Sequence, residues 1–511
     1  MEIILYISIP SIIVLFFLLK SAPPPGSDHA IHVSIISRIK LNRHRFVKEH
    51  LFSLNEKHVF YPQFYHWALS FLPVKTYKEK HNYIGVSVKL FEIIAFNFFL
   101  LFLYNRMHFD EVVFLYANIV VNVFPFSYSV WNAKNTGISA RGIGLVAGQI
   151  YIYFVVAYIL TGNLLLLVPL FAIVFIIMLM SQMAMQFILL TLPFFLLVFK
   201  TPELSILPFL SFGLFYLIMP QLARDYVIGQ YNHKRNYALF LAEIFILKER
   251  YSIWRDFVYD FWVKLKTEAN KFKLFYYISK NPIVEVIYGM PFLWFILYCF
   301  ISGHSSGNIY FLILFKIVLC AFIVFFLTTF RKTRFLGEPQ RYLEFTIPLI
   351  ATIFALTFSI HIIILLSSMS LFLISVYIYF YKKTNVLQSQ NNKYLVLSEA
   401  IILQYRNCNL IASNDSEQLK YFSGVGFNIL YPDISTYYKS KKAFQQFCHN
   451  QDFNIISPYA IEKYVKEYNP ELFILNKAFY SLNELVKEIP DFLKGYKLDS
   501  SFYSYDVYVK L

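Results

Sequence analysis

The stretch Ile3–Lys40, IILYISIPSIIVLFFLLKSAPPPGSDHAIHVSIISRIK, decides how this chain is read. It opens on an apolar run, Ile3–Leu19, that carries no charge. A bilayer core takes about 20 residues of helix, so the run approaches a full crossing. Glu2 precedes it where a secretory leader would carry a positive charge, and the run is long for a leader's apolar centre. A retained first helix is expected. The proline-rich SAPPP then releases the chain, and Asp28 follows only a few residues on, flanked by His29 and His32. A carboxylate this close to a bilayer is costly unless water, a cation or a substrate compensates it. Asp28 is therefore the first candidate for chemistry, as the base of a membrane enzyme.

The rest of the chain agrees with a membrane setting. Of 511 residues 58% are hydrophobic and only 15% charged, with a mean hydropathy of +0.52. A soluble domain needs more polar surface than this. The 56 Phe and 40 Tyr suit lipid-facing helices and interfacial belts. The net charge of +15 lies mostly in loops between apolar spans, which points to anionic headgroups or a phosphate-bearing lipid and away from nucleic acid.

Roughly eleven segments have the length and apolarity of spans or nearly so: residues 3–19, 84–104, 111–127, 143–161, 164–180, 186–199, 204–219, 282–302, 309–330, 343–359 and 361–381. The pair 186–199 and 204–219 is short enough to be re-entrant or tilted. MLMSQMAMQ (178–186) reads as a short turn between spans. The expected fold class is an α-helical polytopic membrane body, residues 1–381, followed by a small extramembrane α/β domain, residues 382–511. The connections alternate between long and polar (20–83, 128–142, 220–281, 331–342 and the tail) and minimal, such as TGN and KTPEL. That alternation puts the bulky loops on one face. Counting Lys and Arg by the positive-inside rule places this cap in the cytoplasm, although long loops weigh little in the rule.

Within 220–281, YSIWRDFVYDFWVKLK aligns Trp254, Phe257, Val258, Phe261, Trp262 and Leu265 on one stripe. Such a stripe suits a helix lying in the interface or packed on the cap. In the tail, YLVL, NLIAS, FNILY, LFILNK and DVYVKL have strand length. Helical stretches alternate with them, among them SPYAIEKYVKEYN and SLNELVKEIPDFL, as in an α/β domain. Cys299 and Cys320 fall in apolar spans. Cys408 and Cys448 lie in the tail, either as free thiols or as one disulfide, and no Cys/His metal spacing occurs.

Three constellations carry candidate chemistry. The first loop joins Asp28, His29 and His32 to HVFYPQFYHWALSFLP (58–73), which holds Tyr61 and His66. His29 and His32 would share a helix face. Asp28, His32 and His66 could in principle hold a divalent cation, but no metal signature is present, so no cofactor is assigned. Asp28 suits general-base work on a hydroxyl; Ser27 or Asp28 equally suits a helix N-cap, and the two roles are compatible. The second constellation is RKTRFLGEPQRYLEFTIPLI (331–350), where Arg334, Glu338, Arg341 and Tyr342 precede a late span. Guanidinium groups grip phosphate bidentately, whereas Arg331 and Lys332 read as a basic anchor for lipids. The third is WNAKNTGISARGIGLVAGQ (131–149), with Lys134 and Arg141 at a span mouth and small residues suited to close helix packing.

Taken together, a first-loop acid, a Tyr61-Pro62…His66 segment and a late Arg341-Tyr342…Pro348 element resemble the GT-C superfamily of integral-membrane glycosyltransferases. The resemblance rests on three short motifs and on topology. It implies a polyprenyl-phosphate-linked sugar as donor and a glycan, lipid or protein hydroxyl as acceptor. It also implies Asp28 as general base with inversion at the anomeric carbon. By that analogy Tyr61, His66 and Tyr342 belong to the substrate site and Arg341, with Arg334, holds the lipid phosphate; His29, His32, Arg141 and Glu338 are further candidate substrate contacts from their place in the three constellations. The resemblance places the cap on the extracytoplasmic side of what is expected to be the cytoplasmic membrane. The single Asp28, where many members carry paired acids, is a departure. The lack of a DxD or WWD motif argues against the oligosaccharyltransferase branch. A transporter or flippase would show repeated halves, and none is visible. A polysaccharide polymerase or ligase needs no acid directly after its first span.

Overall fold

Backbone polar groups inside hydrocarbon must be satisfied within their own segment, so apolar stretches of this length become helices. A computed structural model of the chain describes residues 2–21, 27–47, 61–128, 138–239, 258, 262–263, 265–267, 281–303, 309–330, 333–384, 386–430, 456, 458–477, 493–502 and 505–511. Helix α1 (Glu2–Ser21) enters the membrane body. The first loop folds as α2 (Ser27–Leu41), α3 (Phe64–Ser70) and α4 (Val74–Lys78). The body continues through α5 (His81–Met107), α6 (Val112–Asn122), α7 (Ala140–Thr161), α8 (Leu167–Met180), α9 (Gln182–Phe199), α10 (Pro202–Ile218) and α11 (Pro220–Leu239). It then runs through α12 (Pro282–Gly289), α13 (Pro291–Ile301), α14 (Ile309–Thr328), α15 (Arg341–Glu344), α16 (Ile347–Thr357) and α17 (Ile360–Thr384).

Each of the eleven apolar stretches is helical, but they are not eleven equal spans. Among the described residues five helices (α1, α5, α7, α9 and α14) are long and apolar enough to cross a membrane, or six spans if α12 and α13 count as one. Five others are shorter apolar helices of 10–17 residues. The segment read as a single span over 282–302 breaks at Met290, where α12 and α13 meet at 81°. Pro291 causes this: it has no N–H to continue the ladder, and it drives the preceding residue out of the helical region, to φ −127° and ψ 57° at Met290. The stretches expected to be re-entrant or tilted form two separate helices, and α9 alone is long enough to cross.

One core runs through the body, with Phe114, Tyr151, Phe187, Phe292, Phe315 and Phe354 among its buried members. Helix α7 sits at its centre because two of its glycines admit neighbours that no side chain would allow. A Cβ on Gly144 would lie 2.1 Å from Ser181 Oγ, and one on Gly148 would lie 2.4 Å from a Phe345 ring carbon. Gly148→Val is expected to destabilise the body by about 1–3 kcal/mol or more through overpacking, read as a lower melting midpoint in detergent. Gly85→Ala, where nothing lies within 4 Å, should be neutral or slightly stabilising, since alanine suits a helix interior better.

The tail has its own core, built on α18 (Val386–Gln404), α19 (Ser416–Val425), α20 (Pro458–Tyr468) and five strands. These are β1 (Leu410–Ser413), β2 (Asn428–Ile429), β3 (Leu472–Asn476), β4 (Tyr496–Phe502) and β5 (Tyr505–Lys510), in the order β2-β1-β3-β5-β4. β2, β1 and β3 run parallel, with Ile411 opposite Leu472, and β5 pairs antiparallel with both β3 and β4. YLVL, read as a strand, belongs instead to α18: its Leu397 is buried one turn from Ile401, and the helical spacing of the surrounding residues overrides the local run. YKLDSSF, not singled out from the sequence, is β4. SLNELVKEIPDFL lies outside the described residues except for Leu493. Cys299, Cys320 and Cys408 are free thiols, and Cys448 lies outside the described residues.

A buried carboxylate ties the sheet to α19. Asp415 caps that helix, accepting from the backbone N–H of Glu417 and Gln418 at 3.1 Å each. It also accepts from Asn476 Nδ2 at 2.9 Å and Tyr505 Oη at 2.8 Å. Burial pushes its pKa up, with the Glu417 charge adding a little, and the bonds from Asn476, Gln418 and Tyr505 pull the other way.

Candidate functional site

Helix α2 presents different residues to different neighbours. Its sequence suits a short helix next to the membrane: a Ser-Asp start, and Arg38 and Lys40 in the last turn where they oppose the helix dipole. Val33 and Ile36 pack with Tyr65, Leu69, Ile138 and Ala140, joining α2 to α3 and the mouth of α7. Ile35 and Ile39 are buried together, with Tyr61 and Trp67 packed against them. Four hydrogen bonds help fix the described part of the first loop. Gln63 exchanges two hydrogen bonds with the backbone of Val47, at 2.9 and 3.0 Å. Trp67 Nε1 donates to the His44 carbonyl at 3.0 Å. Lys40 Nζ donates to the Leu72 carbonyl at 2.7 Å.

Four histidines gather along this seam. His32 Nδ1 lies 2.7 Å from His66 Nε2 with the rings stacked, and Tyr61 stands edge-on to both. One ring must donate and the other accept, so the pair cannot hold two full protonations. The His29 ring lies 4.5 Å from that of His81, and its Nδ1 accepts the backbone N–H of Ile138 at 3.1 Å. In its neutral form His29 therefore carries its proton on Nε2. Burial is the main cause that lowers its pKa to about 3, helped by His81 and His32. Burial likewise holds His66, completely enclosed, well below the usual histidine range; His32 adds to the effect and the Pro62 carbonyl opposes it. Among the described residues no group of three or more His, Cys, Asp or Glu side chains is arranged to hold a metal ion.

The sign of the pH effect follows. A histidine with a depressed folded pKa leaves the folded chain proton-poor while the unfolded chain takes up a proton below about pH 6.5. Native stability should fall as the pH drops from about 6.5 toward the folded value of about 3. His29→Gln is expected to flatten that fall, measured as melting midpoint against pH in detergent; an unchanged slope would show that His29 does not set it.

The late element folds as a tight turn into α15. Arg341 and Glu338 form an ion pair, each side chain only 12% exposed. Tyr342 is buried, and its hydroxyl donates to the Leu336 carbonyl at 2.6 Å, closing the loop over Gly337, whose φ of +110° favours glycine. Gln340 Nε2 donates to Glu285 Oε2 at 2.9 Å in a buried contact. Glu344 is 3% exposed. Phe345 stacks on Phe187 at 4.3 Å and fills the space left by Gly148.

The two groups meet α7 on its opening turns. Ala140 belongs to the cluster that holds α2 and α3, and Gly148 receives Phe345. Eight residues of helix advance about 12 Å, so the α2–α3 cluster and Phe345 meet α7 within about two turns of each other. His29, His32, Tyr61 and His66 are thus brought together, as are Glu338, Arg341 and Tyr342. Arg141 stands in the first turn of α7, where its backbone N–H donates to Ser139 Oγ at 3.2 Å. The side chains of Asp28 and Arg334 lie outside the described residues, although α2 carries the Asp28 backbone. Lys134, Arg331, Lys332, Trp254, Phe257 and Phe261 also lie outside them.

Sequence reading passed over Glu285, Gln340 and His81, and the ion pair of Lys89 with Glu92 at 3.0 Å inside α5. The signal for Glu92 and Glu285 was present, because an ionisable residue in an apolar span is functional or paired by default. Nothing in the sequence marks His81 or Gln340.

A helical body, a first loop folded back against α7 and a small α/β tail together make up a fold that solved structures share. Among solved structures the chain is similar to ArnT from Cupriavidus metallidurans in the apo state, with a TM-score of 0.51 at 10% identity, covering 100% of this chain and 98% of that one. The same protein bound to undecaprenyl phosphate gives a TM-score of 0.42 at 10% identity over the same shares. No family model and no curated relative matches the chain.

Proposed function

We propose that the chain is a membrane glycosyltransferase that moves a sugar from a polyprenyl-phosphate donor to an acceptor hydroxyl. The observation that carries this is the end-to-end likeness to the fold of ArnT, supported by α2 packing at the start of α7 and by Phe345, four residues past Arg341, seating against Gly148 of the same helix.

In this reading Asp28 takes the proton of the acceptor hydroxyl. The freed oxygen attacks the anomeric carbon from the face opposite the phosphate. The new carbon–oxygen bond forms as the bond to the phosphate oxygen breaks, so the configuration inverts, the proton ends on Asp28 and polyprenyl phosphate leaves. Such centres pass through oxocarbenium character. Arg341 holds the departing phosphate, and Glu338 keeps its guanidinium in place until the donor arrives. Phosphate is a good leaving group, so no strong general acid is required. The buried, neutral histidines shape the rim beside Asp28 without adding charge near it. The cap and tail face the extracytoplasmic side, where lipid-linked sugars would meet envelope acceptors.

The test is a transfer assay in membranes holding the full chain, with a panel of polyprenyl-phosphate sugars labelled in the sugar. Label should move to an acceptor fraction with matching release of polyprenyl phosphate. Absence of transfer from every donor, with the protein inserted and folded, would overturn the reading.

A further inference from the structure

Helix α2 gives one whole face to the tail domain. Ala30, Ser34 and Arg38 stand at i, i+4 and i+8, which places them in one row along the helix. Each meets the segment formed by α19 and β2. Gly424 is seated on Ala30: a Cβ there would lie 2.9 Å from Ala30 Cβ and 3.0 Å from its carbonyl oxygen. Ser34 Oγ lies 2.6 Å from Ser423 Oγ, in a buried contact that spans 389 positions of sequence. Arg38 Nη2 donates to Asn428 Oδ1 at 3.1 Å. The other faces of α2 carry His29 and His32 and the side chains packed on α3 and α7.

We infer that the tail domain is a positioning element for α2, and that Gly424 and Ser423 are positioning residues that set where the α2 acid stands over the membrane body. The inference rests on the transferase reading above. Its physical basis is the closeness of the fit. Gly424 lets two helices approach at backbone distance, so any side chain there must push α2 off its seat or lift the tail away. The opposed contact is a Cβ, a carbonyl and a Cα, none of which can swing aside as the end of a flexible side chain would. The row is anchored at both ends of α2, by the glycine near its start and by the Arg38–Asn428 bond near its end. A shift at Gly424 would therefore tilt the helix about that second anchor, and its first turn, which carries residue 28, would move furthest. Displacements of about 1 Å at a reacting group lower rates by roughly a hundredfold.

The experiment uses the full chain in membranes. Gly424→Leu is expected to lower kcat roughly tenfold or more, with the donor KM changed by less than about twofold, because the seam contacts at Ala30, Ser34 and Arg38 include none of the residues assigned to the phosphate. Gly424→Ala should show a smaller drop, and adding Ala30→Gly should restore at least half of it by removing the opposing Cβ. Separately, Ser34→Cys with Ser423→Cys should form a disulfide on oxidation, detected as a linked peptide by mass spectrometry, and the linked protein should keep its transfer rate. Three results would overturn the inference: Gly424→Leu with unchanged kcat; kcat, KM and folded yield falling together with no recovery from Ala30→Gly; or a linked protein that no longer transfers, which would mean the tail must leave α2 in turnover. Lack of transfer by the unaltered chain would instead defeat the transferase reading, and disulfide yield would still report the docked seam.

Discussion

Asp28→Asn is expected to leave the chain inserted and folded while sugar transfer falls by roughly 10²- to 10⁴-fold, the share a positioned general base supplies. The substitution is discriminating because it isolates the proton. Asparagine has the same shape and caps a helix start as well as aspartate does, so α2, which begins at Ser27, should form equally well. Loss of transfer then reports loss of a proton acceptor and not loss of the helix. Asp28→Glu keeps the acceptor but moves it by one methylene, and should fall between the two. The adjacent His29 is poorly placed to substitute as the base. His29 is enclosed and its Nδ1 is committed to the Ile138 N–H, while His32 and His66 are committed to each other. Transfer retained in Asp28→Asn, with normal expression and melting midpoint, would remove Asp28 as the base.

Arg341→Ala carries the second large effect. A charge-assisted hydrogen bond contributes about 1.5–3 kcal/mol, so the donor KM, or kcat/KM for the donor, should worsen by about ten- to a hundredfold while the acceptor KM stays nearly constant. Arg341→Lys should recover part of this, because an ammonium supplies charge without the bidentate fork. Glu338 provides the control: it is the ion-pair partner of Arg341, and Glu338→Gln should harm donor use far less, since it loosens the guanidinium without removing it. A larger loss for the acceptor than for the donor in Arg341→Ala would refute the phosphate role and shift suspicion to Arg141, in the first turn of α7.

The helical, membrane-like character of the chain was legible in its sequence. Apolar runs of span length have few ways to satisfy their backbone in lipid, so all eleven could be read as helices. The tail strands NLIAS, FNILY, LFILNK and DVYVKL were legible because short runs rich in branched and aromatic residues between turn signals have few other uses. YLVL failed for the same local reason: four residues cannot show that Leu397 and Ile401 continue a helical face. The first-loop acid, the Tyr61-Pro62…His66 segment and the Arg341-Tyr342 element could be proposed from sequence because each is a short motif of nearby residues.

Contacts between distant parts of the chain were decided only by tertiary structure. His32 meets His66 across 34 positions and Gln340 meets Glu285 across 55. Ser34 meets Ser423 across 389. None of these pairs has a local signature, because what brings them together is the packing of whole helices and not the propensity of any one residue. The same holds for the two glycines of α7. Their sequence announces close approach, but only the fold shows that Ser181 and Phe345 are what approach. Secondary structure and membrane character follow from short-range chemistry, which the order of residues records directly. Which face of α2 meets the tail and which meets the body depends on burying several apolar surfaces at once, and only the assembled chain solves that problem.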